Sequence, residues 1–86
     1  MRIEQLYYFL EAAKAGSFTK AAKNLYLQQP SLRDGIINLE NELGRPLFER
    51  TRRGVKLTDY GEKCLPHIQQ MVDTYEMLTD NPLIEN

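Results

Sequence analysis

The 86-residue sequence predicts a mainly α-helical fold: three short helices, a two-strand hairpin and a long final helix. Three observations support this. Apolar residues recur at steps of three and four through most of the chain. Stop and start residues (Gly16 with Ser17, Pro30, Gly44 with Pro46, and Thr58) cut that pattern into segments. Between the third and fourth segments, "PLFERTRRGVKLT" drops the helical period for strand-compatible residues around a basic turn.

The first helix is expected from Ile3 to Ala15, with Ile3, Leu6, Phe9, Leu10 and Ala13 inward. Gly16 suits the left-handed position that ends a helix, and Ser17 can cap the next one. That second helix, Phe18 to about Leu25, turns Phe18, Ala21, Ala22 and Leu25 inward, and its two alanines allow close helix approach. After a short connection, Tyr26 to Gln28, a third helix places Leu32, Ile36, Leu39 and Leu43 on one face until Gly44 and Pro46 stop it. Leu47, Phe48, Val55 and Leu57 read as two short strands, with Arg52-Arg53-Gly54 as the turn. Thr58 can cap the last helix, whose early Asp59 and Glu62 favour the positive end of the helix dipole. Pro66 predicts a kink in that helix, and Asn81-Pro82 its end.

Two helices joined by a short turn, the second beginning with polar side chains, follow the helix-turn-helix plan; the hairpin adds a wing. A recognition helix enters the major groove by its first turns, so "QQPS" (Gln28, Gln29, Pro30, Ser31) stands where base-reading groups belong. Gln can pair with adenine and Arg with guanine, each good pair contributing about 1–3 kcal/mol of discrimination. Pro30 is tolerated because first-turn N–H groups lack intrahelical partners. The bland alternative, four polar residues facing water, loses weight because they follow a tight helix pair. Arg33 can reach a base or a phosphate. Asp34 is expected to be solvent-facing charge, since it would repel phosphate. Gly35 either permits close backbone approach or is simply tolerated, at about 1 kcal/mol relative to Ala. Arg50, Arg52, Arg53 and Lys56 give the wing four positive charges, although Arg50 can instead pair internally with Glu40 or Glu42.

The formal net charge of −1 hides an uneven distribution. From Lys14 to Lys56 nine basic residues face four acidic ones, leaving +5, whereas the chain from Cys64 onward carries four acids and no Lys or Arg. A hydrophobic content of 42% argues against disorder. The absence of a membrane-length apolar run and of signal-peptide features predicts a soluble, cytoplasmic protein. A single cysteine excludes an internal disulfide framework, and with one histidine it cannot close an ordinary zinc site. There is no glycine-rich phosphate loop or nucleophile motif, so neither catalysis nor a cofactor is expected.

On the last helix Leu57, Gly61, Cys64, Ile68, Met71, Tyr75 and Leu78 form a seam in steps of four and three. At ~1.5 Å per residue the helix spans roughly 33 Å, longer than the preceding body can cover. Cys64, Ile68, Met71, Tyr75 and Leu78 are therefore expected to meet a second copy. Cys64 itself reads as a small buried residue, with redox sensing as the lesser alternative, and His67 as a surface residue.

"FLEAAKAGSFTKAAKNLYLQQPSL" followed by "INLENELGRPLFERTRRGVKLTDYGE" closely resembles the N-terminal DNA-binding domain of LysR-type transcriptional regulators. The resemblance rests on Gly16-Ser17-Phe18-Thr19, Ala21-Ala22, Gln29-Pro30, Leu39-Glu40, Leu43-Gly44, Leu47-Phe48 with Arg50, Val55, Leu57-Thr58 and Gly61. It runs from residue 3 to about 78, and Leu65-Pro66 looks like the family's linker helix. It implies a bacterial transcription factor binding double-stranded DNA at an interrupted palindrome, as homodimers or dimers of dimers. Ser17, Thr19, Gln28, Gln29, Pro30, Ser31, Arg33, Arg50, Arg52 and Arg53 form the expected DNA face. The implied division is a DNA-binding domain over 1–57, a linker helix over 58–80 and a tail over 81–86. The family's ligand-binding domain, and any small-molecule ligand, lie outside this chain, which reads as an excised domain in preference to an unusually short protein. Gln28, Arg33, Asp34 and Gly35 depart from the usual pattern, which implies an unusual half-site. The alternative from another class is a winged-helix interaction module with a degenerate DNA face.

Overall fold

The computed structural model describes residues 1–80. Its elements are α1 (Ile3–Ala15), α2 (Phe18–Asn24), α3 (Gln29–Leu43), β1 (Phe48–Thr51), β2 (Gly54–Leu57) and α4 (Asp59–Asp80). The expected end of α4 at Asn81-Pro82 lies outside the described residues. Each boundary has a local cause. Gly16 ends α1 at φ +69°, where a side chain would be strained, and the Ser17 hydroxyl accepts from the Lys20 N–H at 3.1 Å to start α2. Gly44 ends α3 in the same left-handed way, at φ +80°.

Two arrangements of the chain around Leu47 hold the hairpin and α4 to the helices. The Glu40 carboxylate on α3 accepts from the backbone N–H groups of Leu47, at 2.6 Å, and Phe48, at 3.2 Å. The Leu47 carbonyl in turn accepts from the Thr58 N–H at 2.9 Å. Thr58 caps α4 as expected: its hydroxyl accepts from the Gly61 N–H at 2.9 Å and donates to the Pro46 carbonyl at 2.8 Å. Gly61 lies against the Leu47 carbonyl so closely that a Cβ there would collide with it.

β1 and β2 pair antiparallel, Phe48 opposite Leu57 and Thr51 opposite Gly54, so Gly54 belongs to the second strand and the turn narrows to Arg52-Arg53. Gly54 has its own reason to be glycine. A Cβ would strike the Gly16 carbonyl, and that same carbonyl accepts from the Val55 N–H at 3.0 Å.

The core gathers Leu6, Phe9 and Ala12 from α1, Ala21 and Ala22 from α2, and Leu32, Ile36 and Leu39 from α3. Phe48 closes it, its ring tilted 5.4 Å from Phe9 and edge-on 5.3 Å from Phe18, distances at which aromatic pairs attract. Gly35 has a packing role. A Cβ on it would lie 2.6 Å and 2.8 Å from two carbons of the Tyr8 ring, so the absent side chain is the space in which that ring sits.

α4 runs through Pro66 without a break and carries the molecule to an extent of 50 Å against 26 Å and 19 Å in the other directions. Its expected seam divides. Ile68 and Val72 are buried in the chain's own core, and Leu65 and Cys64 pack against it. This corrects the placement of Ile68 on an interface with a second copy. Periodicity identified the apolar face, but α1 covers its first part. Met71, Tyr75 and Leu78 remain exposed, joined by Met77.

Candidate nucleic-acid interface

Three surfaces collect the polar and basic residues singled out by sequence: the start of α3, the groove between α3 and the hairpin, and the hairpin tip.

At the start of α3, Gln28 occupies the cap position in extended backbone (φ −74°, ψ 141°), and its side chain makes no capping bond. Its backbone carbonyl accepts instead from Ser31, at 3.1 Å, and Leu32, at 3.3 Å. The Gln28 side chain is thereby left to the surface, alongside exposed Pro30 and Ser31 and half-buried Gln29. A Ser in that position would spend its hydroxyl on the helix. Thr19 is exposed on the first turn of α2, whereas the Ser17 hydroxyl is committed to its cap.

Arg33 points toward the hairpin. With Phe18, Ile37, Glu40, Phe48, Arg50 and Val55 it lines a groove of about 170 Å³. Its Nε is shielded from solvent and has no hydrogen-bond partner. Arg50 and Glu49 line the same groove from β1, so α3 and the hairpin bring two arginines and two glutamates to one channel. The internal ion pair open to Arg50 does not form. Glu40 is engaged by backbone N–H groups, and Glu42 pairs with the terminal amine of Met1 at 2.7 Å. Asp34 is exposed.

Arg52 and Arg53 are exposed at the hairpin turn, which the Thr51 hydroxyl braces by accepting from the Arg53 N–H at 3.2 Å. Lys56 adds less charge than expected, because its ammonium pairs across the strands with Glu49 at 3.2 Å.

On α4, half-buried Cys64 packs against the core beside Tyr60. The Tyr60 phenol is held above its ordinary value of 10.0, first by its hydrogen bond with Cys64 and then by burial, while Arg45, 5.2 Å from the ring centre, pulls it down. Further along, Tyr75 meets Tyr7 edge-on at 6.4 Å, and the Tyr7 hydroxyl donates to Glu76 at 2.9 Å.

One residue at this surface had no sequence signal. Tyr26 has φ +59° and is 95% exposed. Among the described residues no group of three His, Cys, Asp or Glu side chains could hold a metal, and no helix is long and apolar enough to cross a membrane.

The family described as bacterial regulatory helix-turn-helix protein, lysR family, matches residues 3–62. The HTH-type regulator YybE of Bacillus subtilis is 45% identical over 75 residues, covering 87% of this chain and 26% of that protein. TfdT of Cupriavidus pinatubonensis is 44% identical over 72 residues, covering 84% and 32%. The chain thus spans about a quarter to a third of the length of these relatives. Among solved structures, the CbnR DNA-binding domain in complex with DNA is 33% identical with a TM-score of 0.90, covering 99% of this chain and 98% of that one. The BenM DNA-binding domain with catB site 1 DNA is 37% identical with a TM-score of 0.86, covering 92% and 89%.

Proposed function

The chain belongs to the lysR family of bacterial regulatory helix-turn-helix proteins, and from that premise we propose that it recognises an interrupted palindrome in double-stranded DNA as a homodimer. The first turn of α3, Gln28 to Ser31, enters the major groove, and Arg52 and Arg53 lie on adjacent backbone or in the minor groove. Residues 1–57 act as the DNA-binding domain and 58–80 as the linker helix. In the whole protein, which acts in the cytoplasm, a ligand-binding domain follows. Met71, Tyr75 and Leu78 supply the contact with the second copy, and the same dimer can pair again on DNA.

The observation that carries this reading is the capping of α3 by the Gln28 carbonyl alone, which leaves four consecutive side chains of the first turn uncommitted to the helix. Its test is selection of bound sites from a randomised duplex library at two salt concentrations. The expected result is a two-fold symmetric motif whose enrichment fades at the higher salt, because phosphate contacts release counterions. A folded dimer that enriches no sequence would refute sequence-specific recognition by this chain.

A further inference from the structure

Tyr26 stands in the turn between α2 and α3, where the backbone closes α2 with a pair of hydrogen bonds. The Leu27 N–H donates to the Ala22 carbonyl at 2.8 Å and the Tyr26 N–H to the Lys23 carbonyl at 3.2 Å. This double closure requires a left-handed residue at its centre, a position that glycine fills without strain and asparagine tolerates. A tyrosine there is disfavoured by its own Cβ. The fold gains nothing in return from the ring, which is 95% exposed. A bulky side chain has been kept in a strained position and left in water, two residues before the cap of α3. Lys20 and Lys23 lie exposed on the preceding turns of α2, and neither forms an ion pair among the described residues.

We propose that Tyr26 is a DNA-backbone contact, its hydroxyl donating to a phosphate oxygen and its ring lying on the neighbouring deoxyribose, beside the groove entered by Gln28 to Ser31. The inference rests on the DNA-binding reading above. A phenol combines the two features such a contact needs: an O–H donor for phosphate and an apolar face for the sugar. It also differs from the wing in kind. A neutral phenol displaces no counterion, so its contribution is independent of salt, whereas each arginine–phosphate contact adds to the salt slope.

The test compares the wild-type chain with Tyr26→Gly, Tyr26→Asn, Tyr26→Phe and Arg52→Ala. Each is titrated by fluorescence anisotropy against a labelled duplex of random sequence at several salt concentrations. Tyr26→Gly and Tyr26→Asn are expected to lose roughly tenfold in affinity, the worth of one hydrogen bond to a charged group. Their salt slope stays that of wild type, and the unfolding midpoint of the glycine variant rises by a few degrees as the strain is relieved. Tyr26→Phe is expected to take most of the affinity loss. Arg52→Ala, by contrast, should lower the slope.

Wild-type affinity in the Gly and Asn variants, with Arg52→Ala still impaired, would overturn the assignment of Tyr26 and leave the DNA-binding reading intact. If those variants instead lose self-association at unchanged DNA affinity, the ring serves a second copy and the proposal is wrong. A folded wild-type chain that binds no duplex at low salt would remove both.

Discussion

The Tyr8 ring fills the space that a side chain on residue 35 would need, with two ring carbons within 3 Å of the position of a Cβ. Gly35 is thus a contact between α1 and α3, although it stands in the helix proposed to read DNA. Gly35→Ala adds helix propensity, about 1 kcal/mol, but forces the partly buried Tyr8 ring aside, and overpacking typically costs about 1–3 kcal/mol. Net destabilisation of about 1 kcal/mol is expected in thermal unfolding. Tyr8→Ala in the same chain should turn the Gly35→Ala substitution from harmful to neutral or stabilising. A stabilised single variant would show that the ring yields freely.

Glu40 is the second internal device on α3. Its carboxylate oxygen serves two backbone N–H groups, those of Leu47 and Phe48, where the chain turns from helix to strand. Glu40→Ala leaves both donors without a partner in a partly buried place and should cost about 2–3 kcal/mol in denaturant unfolding. Glu40→Gln retains an accepting oxygen without the charge, and about half that loss is expected. Equal losses in the two variants would mean that the charge, and not the acceptor, matters.

For the wing, replacing Arg52 and Arg53 together by Ala should weaken binding to specific and random duplexes alike. The slope of log affinity against log salt is expected to fall by about 0.9 for each phosphate contact removed. Gln29→Ala should chiefly relax sequence preference at unchanged slope. An unchanged slope in the double arginine variant would place the wing away from the backbone.

The divided face of α4 gives a paired expectation. Ile68→Asp buries an unpaired charge in the core and should abolish cooperative unfolding. Met71→Asp, one turn away on the exposed face, should leave unfolding nearly unchanged at concentrations where the chain is monomeric, yet weaken self-association in sedimentation. Intact association in the folded Met71→Asp variant would exclude this part of α4 from the dimer contact.

Much of this architecture was legible because it is local. The left-handed glycines at 16 and 44, the Ser17 and Thr58 caps and the three-and-four spacing of apolar residues act within a few positions of themselves, and the elements begin and end where those signals stand. Gly35 stayed ambiguous because its reason, Tyr8, lies 27 positions earlier and is met only once α1 crosses α3. Arg50 was open to an ion pair because charge and proximity along the chain do not show that Glu40 is already engaged by backbone. Likewise, periodicity marks the apolar face of α4 but not which of its residues α1 covers: Ile68 and Val72 are buried and Tyr75 meets Tyr7, while Met71 and Leu78 stay exposed. Tyr26 carried no signal at all, since its meaning lies in a φ angle and an uncovered ring.

The bond from Val55 to the Gly16 carbonyl, with Gly54 pressed on the same oxygen, has a mechanical corollary. The start of the second strand, directly beside the Arg52-Arg53 turn, is stitched to the corner that launches α2, so the hairpin is tied to the helical body close to its own tip. The position of the two arginines is therefore set by the same corner from which α2 starts.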